Sequence, residues 1–245
     1  MTGKVYLVGA GPGDAKLITL KAIELIQKAD VVLYDRLVSK KIISMIPQNA
    51  ERVYVGRSVG DDTKHQDTTN ELMVKHARSK KHIVRLKGGD PFIFGRGGEE
   101  AEFLKKHKIK YEIIPGITSG IGSAASFGIP LTHRRHASSV AFVTGHEDPK
   151  KDTKSVKWRQ LAKSVDTIVI MMGISNIGAI CKQLAAGGMD KDMPVAVIQD
   201  GTTLKQRMIT GTISNIADMI KVEKIRPPAN IIIGRVACLP DLAGQ

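Results

Sequence analysis

Aromatic residues make up only 4% of the 245-residue chain: five Phe, four Tyr and one Trp. So thin a supply does not furnish the stacking platform on which single-stranded nucleic acid binds. Zinc-knuckle spacing, an RNP-like aromatic strand and a heptad-bearing basic helix are missing too, so nucleic acid is not the expected partner. Cysteine is equally scarce. Cys181 and Cys238 stand far apart in apolar surroundings, which suits two reduced thiols of a cytoplasmic protein and provides no disulfide framework. No run approaches the ~18 uninterrupted apolar residues of a membrane span. The opening "MTGKVYLVGAGPGDAKLITL" lacks a long apolar core and a small-residue cleavage site, so neither a membrane segment nor a secretory signal is expected. Acidic residues fall short of basic ones, 24 against 37, for a formal charge of +13. That excess favours an anionic partner, whether nucleic acid, a membrane surface or a small polycarboxylate or phosphate. With aromatics so few, the small polyanion fits best, because Arg36, Arg85, Arg96, Arg134 and Arg135 lie beside glycine-bearing loops and can fork onto carboxylates.

Several chemistries are excluded by missing motifs. There is no G-x-S-x-G elbow, no G-K-[ST] phosphate loop and no nucleophile context around either cysteine. His133 and His136 are three apart, but two arginines separate them and no third ligand is near, so no metal site is expected.

What the chain does have is glycine, 24 residues of it, placed after apolar runs. Residues 4 to 9 read as a buried strand, Thr19 as the N-cap of a helix running to about Lys28, and "DVVLYD" as the next strand. Strand, turn, helix, strand is the opening of an α/β unit with parallel strands. Residues 56 to 68 read as a polar loop, and Thr68 with Glu71 as a capping box for "NELMVKHARS". "HIVRLKG", a helix from Glu99 to about His107, and "KYEIIPG" complete a first domain over 1–115. A second α/β domain over 116–245 begins with the small-residue helix "SGIGSAASFG". It continues with strands "SVAFVTG", "TIVIMMG", "MPVAVIQDG", "RMITGTI" and "ANIIIGRV", and helices near 157–163, 176–186 and 214–220. The run "VTGHEDPKKDTKSVKW" has no apolar period over Glu147 to Lys154 and reads as a basic loop, an exposed connection or a lid.

"GAGPGD" follows a strand but is not a dinucleotide fingerprint. Asp14 stands where the third glycine belongs, and a carboxylate there would repel a pyrophosphate, so a dinucleotide-binding Rossmann fold is set aside. "KGGDPFIFGRGGEE", residues 87–100, is the densest loop. Its glycines at 88, 89, 95, 97 and 98 admit positive φ and let a ligand touch bare main chain. It follows a strand, where open α/β sheets bind ligands, and Asp90 is suited to a ligand hydroxyl or amine. Glu99 and Glu100 read as first-turn residues favouring the helix dipole.

Taken with "ADVVLYDRLV", "PGITSGIGSAASFGIPLTHR", "VTGH", "MMG", "QDGTTLKQ" and "PANIIIGRV", these segments run in family order along essentially the whole chain, which resembles the tetrapyrrole methylase family. The resemblance implies two α/β domains with the methyl donor in the cleft between them, and a homodimer. It implies S-adenosyl methionine as donor, and two successive methyl transfers to peripheral carbons of uroporphyrinogen III, giving precorrin-2. That substrate bears eight carboxylates, which agrees with the charge. By match, the donor contacts are Pro12, Gly88, Gly89, Asp90, Ile93, Thr118, Ser119, Met172 and Ala229. "YDRLV" separates this chain from relatives acting on later corrin precursors. It implies that Arg36 positions a substrate carboxylate or the ring, with Met172 near the reacting end, while the glycine loops with "PLTHR" imply Thr132 and Arg134 on the substrate side. Asp35 orients Arg36, moves a pyrrole proton, or is a satisfied turn carboxylate. The segment "SGIGSAASFG" departs from the commoner S-A-x-A-A-P-A-x-A-G form at Gly120 and Ser123, which alters local packing.

Overall fold

The structure is a computed structural model that describes residues 3–56, 64–79, 81–146 and 156–239. The chain divides into two compact units, Met1–Thr118 and Ser119–Gln245.

In the first unit the described residues form a sheet of β1 (Lys4–Gly9), β2 (Val31–Tyr34), β3 (Glu51–Tyr54), β4 (His82–Lys87) and β5 (Lys110–Ile114) in the order β3-β2-β4-β1-β5. Every pairing is parallel. A parallel sheet is covered on both faces, so its strands are nearly continuous apolar runs. Tyr6, Val8, Val32, Val84 and Leu86 face one layer, with Ile26 of α1 (Leu20–Gln27) and Ile42 of the single turn α2 (Lys40–Ile43). Val5, Leu7, Val31, Leu33 and Ile83 face the other, with Met73 and Ala77 of α3 (Lys64–Arg78) and Leu104 of α4 (Gly97–Lys106). The Thr19 side chain caps α1 as expected, accepting the Ala22 N–H at 3.2 Å. Thr19→Ala is therefore expected to lower stability by about 1 kcal/mol, read from urea unfolding midpoints.

One local expectation is corrected, and two elements went unread. Helix α3 opens at Lys64, so Thr68 lies inside it and cannot begin a capping box, while residues 57–63 of the expected loop lie outside the described residues. Strand β3 and the turn α2 went unread, since the edge strand "ERVY" is largely exposed and carries no apolar alternation. Of the basic stretch, 147–155 lies outside the described residues; the chain then enters α6 (Trp158–Ser164), anchored by buried Trp158.

The second unit is mixed rather than parallel. Its described strands are β6 (Val140–Thr144), β7 (Thr167–Met171), β8 (Pro194–Gln199), β9 (Arg207–Thr212) and β10 (Ala229–Ile233), ordered β6-β7-β10-β8-β9. Only β6 and β7 run parallel; the other pairings are antiparallel. One face packs Ile168, Ile170, Val195, Val197, Ile231 and Ile233 against α6, α7 (Ile177–Ala186) and α8 (Ile216–Val222). The other packs Ala196, Ile198 and Ile232 against α5 (Ser119–Ser126) and the 3-10 turn Arg235–Cys238.

Candidate active site

Because β1, β4 and β5 are parallel neighbours, their carboxyl ends bring three loops to one sheet edge. The loops cross through main chain. Ala10 donates to the Lys87 carbonyl at 2.7 Å, and Gly11 and Gly89 exchange N–H···O bonds of 3.1 and 2.7 Å, both with positive φ (76° and 68°). A Cβ on Gly9 would lie 2.6 Å from the Gly116 nitrogen and 2.7 Å from the Gly89 carbonyl oxygen. One on Gly116 would meet that same oxygen closer still. These glycines thus serve the mutual approach of the loops, a role that the sequence reading did not give Gly9 or Gly116.

Asp90 locks the crossing. Its Oδ2 accepts the Gly116 N–H at 2.9 Å and its Oδ1 accepts the Phe92 N–H at 2.7 Å. Each carboxylate oxygen has a second lone pair, so the half-buried group retains acceptor capacity for a ligand. Beyond it, Phe94 and Arg96 sit in the left-handed region at φ 54° and 58°, a conformation that costs on the order of 1 kcal/mol or more for non-glycine residues. The strained loop presents Phe92, Ile93 and Phe94 to solvent. Pro12, Gly88 and Gly89 are half-buried on the same edge and Thr118 is buried. Asp14 is occupied in capping the turn Ala15–Leu17, accepting the Lys16 N–H at 3.0 Å.

Under the loops lies an ionic frame. Glu100 is not a surface dipole residue, as its position in the first turn of α4 suggested, but is fully buried. Its Oε1 accepts from Arg85 Nε at 3.1 Å and from Lys87 Nζ at 2.9 Å. Arg85 Nη2 reaches Asp35 Oδ2 at 3.3 Å. Arg85 is therefore committed internally and not to a substrate carboxylate, and Asp35 pairs with Arg85. Arg36 beside it is exposed, and Arg96 is forked onto Glu99. Burial opposes the charge on Glu100, but the Arg85 and Lys87 cations outweigh it and hold the carboxyl below the usual carboxylate range. Burial, then the Arg85 charge, pushes the Lys87 ammonium below the ordinary lysine value, with Glu100 offsetting part of the fall.

In the second unit, the ends of β6, β7 and β8 and the start of β10 share an edge through the pairings Thr144↔Met171, Asn230↔Met171 and Ala229↔Gln199. Met172 follows there with φ 55° and is 52% exposed, whereas Ala229 is buried. Ser119 Oγ lies 3.3 Å from Asn230 Oδ1, and Asn230 Nδ2 donates to Ser123 Oγ at 3.0 Å, fastening α5 to β10. At Gly120 an added Cβ would lie 2.9 Å from both Phe142 Cε1 and Val169 Cγ1, so a larger residue there would displace those side chains. Of the two departures, Gly120 lies close against Phe142 and Val169, and Ser123 accepts from Asn230. Thr132 and Arg134 lie exposed on the connection between α5 and β6, which is closed by a His133–Ala137 bridge.

Residues 4–217 match the family described as Tetrapyrrole (Corrin/Porphyrin) Methylases. The chain belongs to the tetrapyrrole methylases. It is 52% identical to the uroporphyrinogen-III C-methyltransferase of Priestia megaterium over 96% of this chain and 98% of that one. It is 51% identical to the siroheme synthase of Nitrosomonas europaea over 97% of this chain, but spans about half (50%) of that longer protein. A crystal structure of uroporphyrin-III C-methyl transferase from Thermus thermophilus complexed with S-adenyl homocysteine superposes with a TM-score of 0.82 at 42% identity, covering 96% of this chain and 98% of that one.

In this methylase the ionic frame is the feature that sequence reasoning missed, although a signal existed. Strand β4 alternates Ile83, Arg85 and Lys87 toward the face that elsewhere packs Leu7 and Leu33 against Leu104. Cations at inward positions of an apolar strand need a buried anion, and Glu100 is the acidic residue of α4 that turns inward. Among the described residues, no group of three His, Cys, Asp or Glu side chains could hold a metal ion.

Proposed function

We propose that this tetrapyrrole methylase is an S-adenosyl methionine-dependent uroporphyrinogen III C-methyltransferase that makes precorrin-2 by two successive methyl transfers. The observation that carries the reading is 52% identity with the Priestia enzyme over 96% of this chain and 98% of that one. The residues present suit the donor. Asp90 keeps acceptor capacity for an ammonium or ribose hydroxyls, the glycines at 88 and 89 open the main chain, and Ile93 and Met172 offer exposed apolar surface to a flat base. Pro12, Thr118, Ser119 and Ala229 complete the proposed donor contacts.

When bound, the donor supplies an electrophilic methyl on a positive sulfur. The chain aligns an electron-rich pyrrole carbon with that methyl, a contribution worth several kcal/mol of barrier. The new carbon–carbon bond forms as the sulfur–carbon bond breaks with its electron pair left on sulfur, and the cationic ring then gives up one proton. Asp35 is the proposed acceptor of that proton, with Met172 beside the reacting end. Arg36, Thr132 and Arg134 are the proposed grips on the substrate, and Arg36 and Arg134 are both exposed cations able to fork onto carboxylates.

The reading places the enzyme in the cytoplasm as a homodimer, with the tetrapyrrole and not nucleic acid as its anionic partner. Among the described residues no helix is long and apolar enough to cross a membrane. Both cysteines are free, and burial raises the Cys181 thiol to about 11, leaving it inert.

An anaerobic assay with uroporphyrinogen III and donor tests the function. The expected product carries two added methyls by mass. An unchanged tetrapyrrole alongside calorimetrically bound donor would assign the chain to another acceptor.

A further inference from the structure

The four members of the ionic frame are progressively withdrawn from water. The Asp35 side chain is 25% exposed, Arg85 6%, Lys87 5% and Glu100 0%. Three nitrogens of the Arg85 guanidinium are held: Nε by Glu100, Nη2 by Asp35 and Nη1 by the Leu86 carbonyl at 3.2 Å. A planar fork fixed at three points cannot swing, so it transmits the position of α4 to Asp35. Lys87 shares the same Glu100 oxygen and stops that carboxylate from following Arg85 outward.

Stability does not account for such an arrangement. Buried ionic groups are commonly matched or bettered by apolar residues of similar volume. The layer beneath this frame, Leu33, Ile83 and Leu104, is already apolar and could have been extended. What distinguishes the frame is its location. Asp35 belongs to the loop after β2, and Lys87 abuts Gly88, Gly89 and Asp90 of the loop after β4.

We propose that Arg85, braced by Glu100 and Lys87, is a positioning residue for methyl transfer, holding the Asp35 carboxylate in the one orientation from which it takes the ring proton. The proposal rests on the methyltransferase reading and adds to it the side chains that aim Asp35. In this proposal the buried Arg85, Glu100 and Lys87 act through Asp35 and not by contact with donor or substrate.

A double-mutant cycle on the full chain tests it. Asp35→Asn is expected to lower kcat by about a hundredfold, within the usual range for loss of a proton-transfer group. Arg85→Met, which leaves Glu100 paired with Lys87, is expected to lower kcat by about tenfold or more through misplacement of Asp35. Its KM for uroporphyrinogen III and its Kd for S-adenosylhomocysteine should stay within about twofold. In the Asp35→Asn background, Arg85→Met should then cost less than about twofold further, because residues acting as one unit are not additive. Multiplying losses would overturn the proposal, as would an Arg85→Met enzyme whose donor affinity falls in step with kcat. If Arg85→Met shows no cooperative melt, Lys87→Met takes its place in the cycle, since it leaves the Arg85–Glu100 pair intact; the same non-additivity is expected and multiplying losses again overturn the idea. A parent chain that binds donor but methylates nothing would remove the methyltransferase reading and this proposal with it, whereas multiplying losses in an active parent remove the proposal alone.

Discussion

Gly116→Ala is expected to abolish measurable binding of S-adenosylhomocysteine and to lower the stability of the first unit by about 3 kcal/mol, at the upper end of ordinary overpacking costs. The added methyl would meet the Gly89 carbonyl oxygen, with Gly9 Cα at 2.9 Å and Gly9 C at 3.0 Å behind it. All three are backbone atoms, so no rotamer change relieves the clash. The loops can only separate, which breaks the 2.9 Å bond from Gly116 to Asp90 and with it the registration of residues 88–93. Isothermal calorimetry and urea unfolding read both effects. Gly98→Ala is the control. Its Cβ has nothing within 4 Å and it lies in the first turn of α4, so the substitution should stabilise by about 0.5–1 kcal/mol through helix propensity alone. Equal behaviour of the two variants would show that glycine at 116 is not there for close approach.

Replacing Glu100 by alanine should be the most destabilising change at a charged position, costing about 3–5 kcal/mol, because it strands two buried cations. The sign of its pH dependence comes from the lowered carboxyl. Between the folded and the ordinary carboxylate pKa, the unfolded chain binds more protons than the folded one, so stability rises with pH there. The contribution is complete above the ordinary value of about 4.3 and is lost as pH falls through the folded value. The alanine variant should therefore show a shallower loss of stability on acidification than the parent, beginning from a lower plateau. Matching midpoints for the two proteins at neutral pH would contradict the ionic frame.

Much of this was legible locally. The β1 strand, the Thr19 cap and the five strands of the second unit are given by alternation, short apolar runs and turn residues, signals that act within a few positions. The opening of α3 was not legible, since "KHQDTT" has no apolar stripe and takes its helical form from the later turns of the same helix. Neither was the direction of strands in the second sheet. A buried apolar strand looks alike whether its neighbour is parallel or antiparallel, and that choice rests on connections across the whole unit. Among candidate site residues, the glycine loops were found by composition, yet their crossing at Gly9, Gly89 and Gly116 depends on contacts between segments far apart in the chain. Asp35 was found through its motif, but its partner at Arg85, 50 positions on, was not.

The triple crossing of bare main chain also bears on how such enzymes diversify. A junction with no side chains presents nothing for mutation to retouch, so its geometry is inherited whole or lost. Changes of acceptor must then arise in loops that do carry side chains, such as the one holding Arg36, whose neighbour Leu37 packs against Gly88, and a library aimed at new substrates should leave positions 9, 89 and 116 untouched and randomise there instead.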